Sequence, residues 1–205
     1  MLSLYHTYYT DRDYTQRDLF ALLATELGLR SALYPGSFVH ISPSYVIPAV
    51  CYVDTDRKAK AFFRDIPALE AEIHQNASYT EPTAIRFYGQ DYTKPIAEPE
   101  QAFDLLISQY AGIISQPCKR YLKPGKYLLS NNSHGDAGIA ALDPDYTLLF
   151  ALNRRDGKYG ISQTPPQEYF IPKKPELNTA ESILALGKGI AYTKTAPLYL
   201  FQLNG

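Results

Sequence analysis

The densest cluster of polar side chains in this sequence is the segment from Asn131 to Asp136, which has the sequence NNSHGD. It follows a short apolar run, residues 127–130, that is typical of a buried strand. His134 could act as a general base near neutral pH, with Asp136 or Asn132 orienting its ring. The alternative interpretation is a polar loop built from Asx turns, with a glycine that adopts a positive φ.

A second cluster pairs a glycine turn with an acid. The apolar run 32–34 stops at Pro35-Gly36, and the apolar run 49–53 stops at Asp54. In a parallel sheet, backbone N–H groups approach a nucleotide at such a glycine, and the acid accepts hydrogen bonds from ribose hydroxyls. Asp54 could instead cap the helix that follows, a role that Asp56 could equally fill.

Three further residues lie close to predicted strand ends. Asp91 follows the strand TAIRFY and Gly89, where it is either a ligand group or a solvated loop acid. Tyr110 comes directly after the strand FDLLIS and is a second candidate for a catalytic role. Asp104 lies at the amino end of that same strand, so we expect it to be structural.

The composition excludes several classes of function. Of the 205 residues 45% are hydrophobic and 20% charged, as in an ordinary globular domain, and the net charge of −1 provides no basic field for nucleic acid or an anionic membrane. Cys51 and Cys118 fall inside predicted elements, which favours buried thiols in a reducing compartment. The four histidines have no zinc spacing, so no metal is expected.

The amino terminus, MLSLYHTYYTDRD, lacks the basic region and apolar core of a signal peptide. No apolar run approaches the roughly 18 residues of a membrane span. We therefore expect a cytoplasmic protein without a membrane partner.

The elements that must position these residues alternate between strand and helix, which predicts parallel βαβ units. Residues 1–15 are predicted to be an irregular arm, followed by an amphipathic helix from Asp18 that closes at Gly28. Ser42-Pro43 begins a short helix, and a longer helix is predicted for Gly112 to Leu122. The five predicted parallel strands are residues 31–36, 49–54, 83–88, 103–108 and 126–131.

The pattern changes after residue 145. Residues 146–152 and 158–162 flank an Asp-Gly turn, which predicts a β-hairpin. A proline-rich loop follows, then a helix from Thr179 to Gly187 and a last strand or helix at residues 196–203. The apolar segment LLFAL of the hairpin is a candidate edge for a homodimer.

Residues 29–135 resemble a class I S-adenosylmethionine-dependent methyltransferase. The matching pieces, in order, are LRSALYPGS, VCYVDTD, IRFYGQDY, AFDLLISQY and CKRYLKPGKYLLSN. The last is similar to the family's "LkpGG" turn into its fifth strand and is the most specific. The resemblance implies a doubly wound, mostly parallel sheet of seven strands with a C-terminal antiparallel hairpin. It also implies a single domain over residues 1–205, with an arm and helix (1–30), a nucleotide-binding core (31–135) and a C-terminal part (136–205).

The resemblance also implies where S-adenosylmethionine would bind. Tyr34, Pro35 and Gly36 would line its methionine side, and Ser108 and Gln109 would lie beneath the methionyl end. The predicted strand ends would share one crevice, because ligands of such sheets bind at the carboxyl ends of the strands.

By the same resemblance, Asp54 would hold the ribose diol. Asp91 would accept a hydrogen bond from the adenine amino group, or Tyr92 would stack on the ring. The family's amino-methylating members carry Asn/Asp-Pro-Pro-aromatic after the fourth strand. This chain has Ser108-Gln109-Tyr110-Ala111, which disfavours a nucleobase amino group as the methyl acceptor.

Three hypotheses follow. The first is a methyltransferase that acts on an unknown small molecule, with His134, Tyr110 and Asp136 as its catalytic residues. The second is a non-catalytic binding or scaffold protein of the same fold, since the first loop has one glycine and Tyr34-Pro35 replaces the family's acid. A nicotinamide-dependent oxidoreductase is disfavoured, because Gly36 is not part of a glycine-rich pyrophosphate turn that opens a helix.

Overall fold

The structure is a computed structural model that describes residues 2–205. The chain divides into two compact units, the first ending at Ala97 and the second beginning at Glu98. Within residues 2–205, none of the helices has the length and apolar character needed to cross a membrane.

The first unit contains three parallel strands in the order β3-β2-β1. The strands are β1 Ser31–Pro35, β2 Ala49–Val53 and β3 Ala84–Tyr88. Residues 32–35 and 50–53 are buried, as expected for strands covered on both faces. Each strand lies within one residue of its predicted bounds at either end, and the predicted parallel pairing within this unit is confirmed.

Short helices surround these strands. They are α1 Ser3–Tyr5, a π-helical turn His6–Thr10, α2 Arg17–Leu27, a 3₁₀ turn Ser42–Tyr45, α3 Arg57–Phe62 and α4 Ile66–His74. The helix α2 ends at Gly28, which has a φ of +61° and lets the chain turn directly into β1.

The prediction that residues 1–15 form an irregular arm is wrong, because residues 3–10 are helical. No side chain caps either helix, so the local sequence carries little signal. Packing supplies the stability instead: Tyr5 is buried, its ring lies 5.6 Å from that of Tyr9, and its hydroxyl is 2.9 Å from Ser42 Oγ. We call residues 2–15 the N-terminal arm.

The second unit contains five strands in the order β4-β5-β8-β6-β7. The strands are β4 Phe103–Ser108, β5 Leu122–Ser130, β6 Tyr146–Arg155, β7 Lys158–Ile161 and β8 Leu198–Leu203. Only β4 and β5 pair in parallel; β8, β6 and β7 are antiparallel to their neighbours. The predicted hairpin and C-terminal antiparallel strands are confirmed, and residues 2–205 contain eight strands instead of the seven implied.

The segment LLFAL lies in β6, which pairs with β8 on one side and with β7 on the other. β6 is therefore not at the end of this strand order, where β7 lies instead, and the homodimer edge stays a prediction.

The helix predicted for Gly112 to Leu122 is wrong, since the structure has only a 3₁₀ turn at Lys119–Tyr121. Gly112 has a φ of +103°, outside the helical region, and the Ser115 N–H donates to a carboxylate instead of to a helical carbonyl. A tertiary contact thus replaces the local helical bonds.

The second unit has two α-helices, α5 Asp136–Leu142 and α6 Ala180–Leu186. The sequence predicts α6, which begins after the side-chain cap of Thr179. It does not predict α5, because this seven-residue helix starts inside the segment NNSHGDAG and contains Gly138. Short 3₁₀ turns at Pro166–Glu168 and Pro175–Leu177 interrupt the proline-rich loop.

Both cysteines are buried thiols that form no disulfide within residues 2–205, as predicted. Burial raises the pKa of Cys118 to about 12, so its thiol stays protonated and is a poor nucleophile.

Candidate functional site

The turn after β1 is fixed from two sides. Gly36 has a φ of +64°, and its N–H donates to the Val53 carbonyl of β2 at 2.8 Å. Two residues later Phe38 also takes a left-handed φ of +48°, which a bulky residue rarely adopts. The Phe38 ring packs edge-on against Tyr8 of the N-terminal arm, with centroids 5.0 Å apart. The arm therefore covers this turn, and Phe38 is a position of backbone strain of the kind found at binding sites.

Asp54, at the end of β2, bonds to this same turn. One of its carboxylate oxygens accepts from the Phe38 N–H at 2.7 Å, and the other from the Asp56 N–H at 2.7 Å. Asp56 itself caps α3 by accepting from the Lys58 N–H. The two acids therefore have different roles: Asp56 caps α3, and Asp54 holds the turn after β1. The half-buried Asp54 keeps one further acceptor position on each oxygen.

The side chain of Tyr34 belongs to a buried network around His40. His40 Nε2 lies 3.0 Å from the Thr15 carbonyl, which can only accept, so Nε2 carries the proton and Tyr34 donates its hydroxyl to Nδ1 at 3.0 Å. Tyr9 of the arm stacks on the imidazole at 4.3 Å. Burial lowers the pKa of His40 to about 4. Only the main chain of Tyr34 remains to line a ligand.

The candidates after β3 lie at the surface. Asp91 is exposed and accepts from the Thr93 N–H at 2.8 Å, a bond that lowers the pKa of its carboxyl. This is an Asx turn, and it positions the half-buried Tyr92 four residues beyond Tyr88, where β3 ends.

In the second unit, Asp136 is the first residue of α5 and is only 1% exposed. Its carboxylate accepts from the hydroxyls of Ser108 and Ser115 and from the Ser115 N–H, and Ser130 Oγ lies 3.4 Å away. Burial raises the pKa of this carboxyl, and the hydrogen bonds from the serines oppose that shift. Asp136 therefore ties the ends of β4 and β5 to the segment that contains Ser115.

The loop from Asn131 to Asp136 contains the turns of the alternative interpretation. Asn131 Oδ1 accepts from the N–H and hydroxyl of Ser133, and Asn132 Oδ1 accepts from the Gly138 N–H at 3.0 Å. His134 is exposed and makes no hydrogen bond within residues 2–205. Asp136 and Asn132 are thus engaged elsewhere, and neither orients the His134 ring in this structure.

Two buried amide groups follow the ends of β4 and β5 directly. Gln109 is 3% exposed and Asn131 is 5% exposed, and neither Gln109 Nε2 nor Asn131 Nδ2 has a hydrogen-bond partner within residues 2–205. Tyr110, which follows Gln109, is 58% exposed and has a left-handed φ of +58°. No sequence motif marks the Asn131 side chain as a site residue; the one local signal is a polar amide immediately after a buried strand.

One surface cavity of about 690 Å³ lies beside β7 and is lined by Arg155, Lys158 and Glu168 among others. None of the predicted site residues lines it. Residues 2–205 contain no group of His, Cys, Asp and Glu side chains arranged to hold a metal ion.

No protein-family model matches this sequence, and no curated protein matches it. The structure is similar to that of a "putative O-methyltransferase from Klebsiella pneumoniae", with a TM-score of 0.52 and 14% identity over 93% of this chain and 80% of that chain. It is also similar to the O-methyltransferase TomG from Streptomyces achromogenes, solved with S-adenosylmethionine, with a TM-score of 0.48 and 14% identity over 94% and 81% of the two chains.

At this level of identity the similarity concerns the fold, and the TM-score of the Klebsiella structure supports that assignment. The chain has the class I methyltransferase-like fold, a mixed α/β architecture of mostly parallel strands followed by C-terminal antiparallel strands. The expected fold class is confirmed.

Proposed function

We propose that this protein is an S-adenosylmethionine-dependent methyltransferase that acts on a small molecule. The observation that carries the proposal is Asp54, a half-buried carboxylate at the end of the second parallel strand whose helix-capping role is filled by Asp56. Within a methyltransferase-like fold, a carboxylate that retains two acceptor positions fits a ribose diol.

The residues of the first unit fit the nucleoside part of this cofactor. Asp54 would accept from the two ribose hydroxyls, and the main chain of Tyr34, Pro35 and Gly36 would line the turn beside it. Asp91 or Tyr92 would contact the adenine, through a carboxylate–amino hydrogen bond or through ring stacking.

In the second unit, Ser108 and Gln109 are proposed to lie beneath the methionyl part. Bound S-adenosylmethionine would supply an electrophilic methyl group. The contribution of the protein is to hold the acceptor in line with that group and to remove a proton where the acceptor has one to lose.

His134 is the proposed general base and Tyr110 the second acceptor-side residue, because both are exposed and follow the ends of strands. Asp136 acts as a positioning residue, since its carboxylate holds Ser108 and Ser130 at those strand ends. We expect His134→Ala to lower turnover without changing cofactor affinity, which steady-state kinetics and calorimetry would measure separately.

A thermal-shift experiment with S-adenosylmethionine, S-adenosylhomocysteine and NAD tests the proposed cofactor. A ligand present at a hundred times its dissociation constant stabilises the folded state by about 2.7 kcal/mol. We expect the two sulfur nucleosides to raise the melting temperature and NAD to leave it unchanged. Stabilisation by NAD alone would instead favour a nicotinamide-dependent enzyme.

A second candidate function is a binding or scaffold protein of this fold that has lost its cofactor. The observation that favours it is the Phe38 N–H, which is already bonded to Asp54, while Pro35 has no N–H to offer a ligand. If none of these three ligands stabilised the protein, that result would select this candidate.

A further inference from the structure

The two residues with unpartnered amide nitrogens, Gln109 and Asn131, are neighbours in the second unit. Ser108 pairs with Ser130 in the parallel register of β4 and β5, and the Asn131 N–H continues the ladder by donating to the Ser108 carbonyl at 3.2 Å. Gln109 and Asn131 therefore follow directly on two neighbouring strands, and neighbouring strands of a sheet are about 4.8 Å apart.

Alternation along the strands assigns the two amides to a common face. Ser108 and Ser130 both turn their hydroxyls toward Asp136. Successive side chains along a strand point to opposite faces, so Gln109 and Asn131, which continue β4 and β5 by one residue each, are expected on the other face.

The orientation of the Asn131 amide is determined by its own contacts. Its oxygen accepts from the backbone N–H of Ser133, so the NH₂ group must point away from that turn. A buried N–H without an acceptor is destabilising, and native proteins rarely retain one without a reason. In the observed orientation the unpartnered buried atoms of the pair are both N–H donors, which suit an anionic acceptor and not a cation.

We propose that the amides of Gln109 and Asn131 together bind the carboxylate group of a ligand. The inference rests on the proposed function, which supplies two sources of such a group: the methionyl carboxylate of the cofactor and a carboxylate on the methyl acceptor. Two adjacent NH₂ donors match the two oxygens of one carboxylate. Access requires a local opening at the flanking residues, Tyr110 and Ser133-His134, which are exposed.

Calorimetry with three ligands tests the proposal: S-adenosylhomocysteine, 5′-methylthioadenosine, which lacks the carboxylate, and benzoate added to protein saturated with 5′-methylthioadenosine. The variants are Gln109→Met, which removes the donor at nearly constant shape, and Asn131→Asp. The latter keeps the acceptor for Ser133 but presents a second oxygen to the ligand. We expect each variant to weaken carboxylate binding by about 10- to 100-fold and to leave 5′-methylthioadenosine binding unchanged.

The pattern of losses identifies the source of the carboxylate. Weaker binding of S-adenosylhomocysteine assigns the pair to the cofactor, and weaker binding of benzoate alone assigns it to the acceptor. The proposal is overturned if both affinities are unchanged in both variants, or if the wild-type protein binds neither carboxylate. Failure of the proposed function is a separate result, in which the wild-type protein binds neither sulfur nucleoside.

The stability of the ligand-free variants provides an independent test. Because Gln109 Nε2 contacts no acceptor, Gln109→Met should keep or raise the melting temperature, whereas a fall of more than about 4 °C would reveal a structural partner and overturn the proposal. Gln116→Met is the matched control, since it removes a bond to Asp143 at the surface and should not affect any ligand. Asn132→Asp is the matched control for Asn131→Asp. It makes the same substitution one residue away, at a side chain whose oxygen accepts from the Gly138 N–H of α5.

Discussion

The ends of β1 and β2 in the first unit differ from the ends of β4 and β5 in the second in how their polar groups are satisfied. Asp54 is half-buried and bonds to backbone N–H groups of its own and the preceding turn. Asp136 is fully buried and bonds to serines, while the two amides after β4 and β5 keep unpartnered N–H groups. The first region thus shapes a turn, and the second retains hydrogen-bonding capacity that the protein itself does not use.

The largest effect should come from Asp136→Ala, which removes the shared acceptor of Ser108 and Ser115. Two buried hydroxyls and one N–H would lose their partner, so we expect a loss of about 3 kcal/mol in the free energy of unfolding. Urea denaturation measures it. Asp145→Ala, at an acid whose side chain is 63% exposed, should change stability by less than about 0.5 kcal/mol. Equal effects at the two acids would remove the contrast between buried and surface carboxylates.

The His40 network predicts a pH dependence. Between pH 6.5 and about 4 the unfolded chain binds a proton at this histidine and the folded chain does not, so stability falls as the pH falls through that range. Converted to free energy, the lowered pKa corresponds to a loss of about 3 kcal/mol in the free energy of unfolding. Solvent does not reduce this value, because the His40 side chain is fully buried. Urea denaturation at pH 7 and pH 4 should show this loss in the wild-type protein and a smaller one in His40→Gln.

Tyr34→Phe separates the hydrogen bond from the titration. It leaves Nδ1 of His40 without its donor, so we expect about 1 kcal/mol of destabilisation at pH 7 with the pH dependence retained. A pH profile identical in wild type and His40→Gln would contradict a neutral, buried His40.

Gly189→Ala should disturb the loop after β5 by a smaller amount. A Cβ atom at Gly189 would lie 2.3 Å from the backbone oxygen of Asn132, so the loop must move. We expect a loss of about 2 kcal/mol in the free energy of unfolding, which urea denaturation measures. Gly160→Ala, which meets no atom within 4 Å, serves as the control, and a similar loss there would show that the clash is not the cause.

Asp56→Ala should have a smaller effect than Gly189→Ala. It removes the side-chain cap of α3 and should cost about 1 kcal/mol of stability, measured by urea denaturation. If Asp56→Ala also abolished nucleoside binding, the division of roles between Asp54 and Asp56 would be wrong.

The sequence predicts the strands well because burial determines them. β4 has the predicted bounds, since its six residues are buried without a break. The segment from Gly112 to Leu122 was mistaken for a helix, because the decisive contact joins Ser115 to an acid 21 residues away. The helical arm depends in the same way on Tyr5 reaching Ser42.

The candidate site could be predicted only as far as residue types. Asp54 and Asp56 both precede a helix, and the sequence cannot tell which one caps it; the backbone bond from Phe38 distinguishes them. Asp136 looked like a partner for His134 because it lies two residues away. The serines that occupy its carboxylate come from distant segments, and no local pattern indicates them.

Calorimetric titration of S-adenosylhomocysteine into the wild-type protein, Asp54→Ala and Asp56→Ala tests the proposed cofactor site most directly. Asp54→Ala should bind about 10- to 100-fold more weakly, as expected when a charged hydrogen-bond acceptor is removed, whereas Asp56→Ala should bind like the wild type. Equal affinities in all three proteins, or no binding by the wild type, would contradict the assignment of Asp54 to the ribose diol.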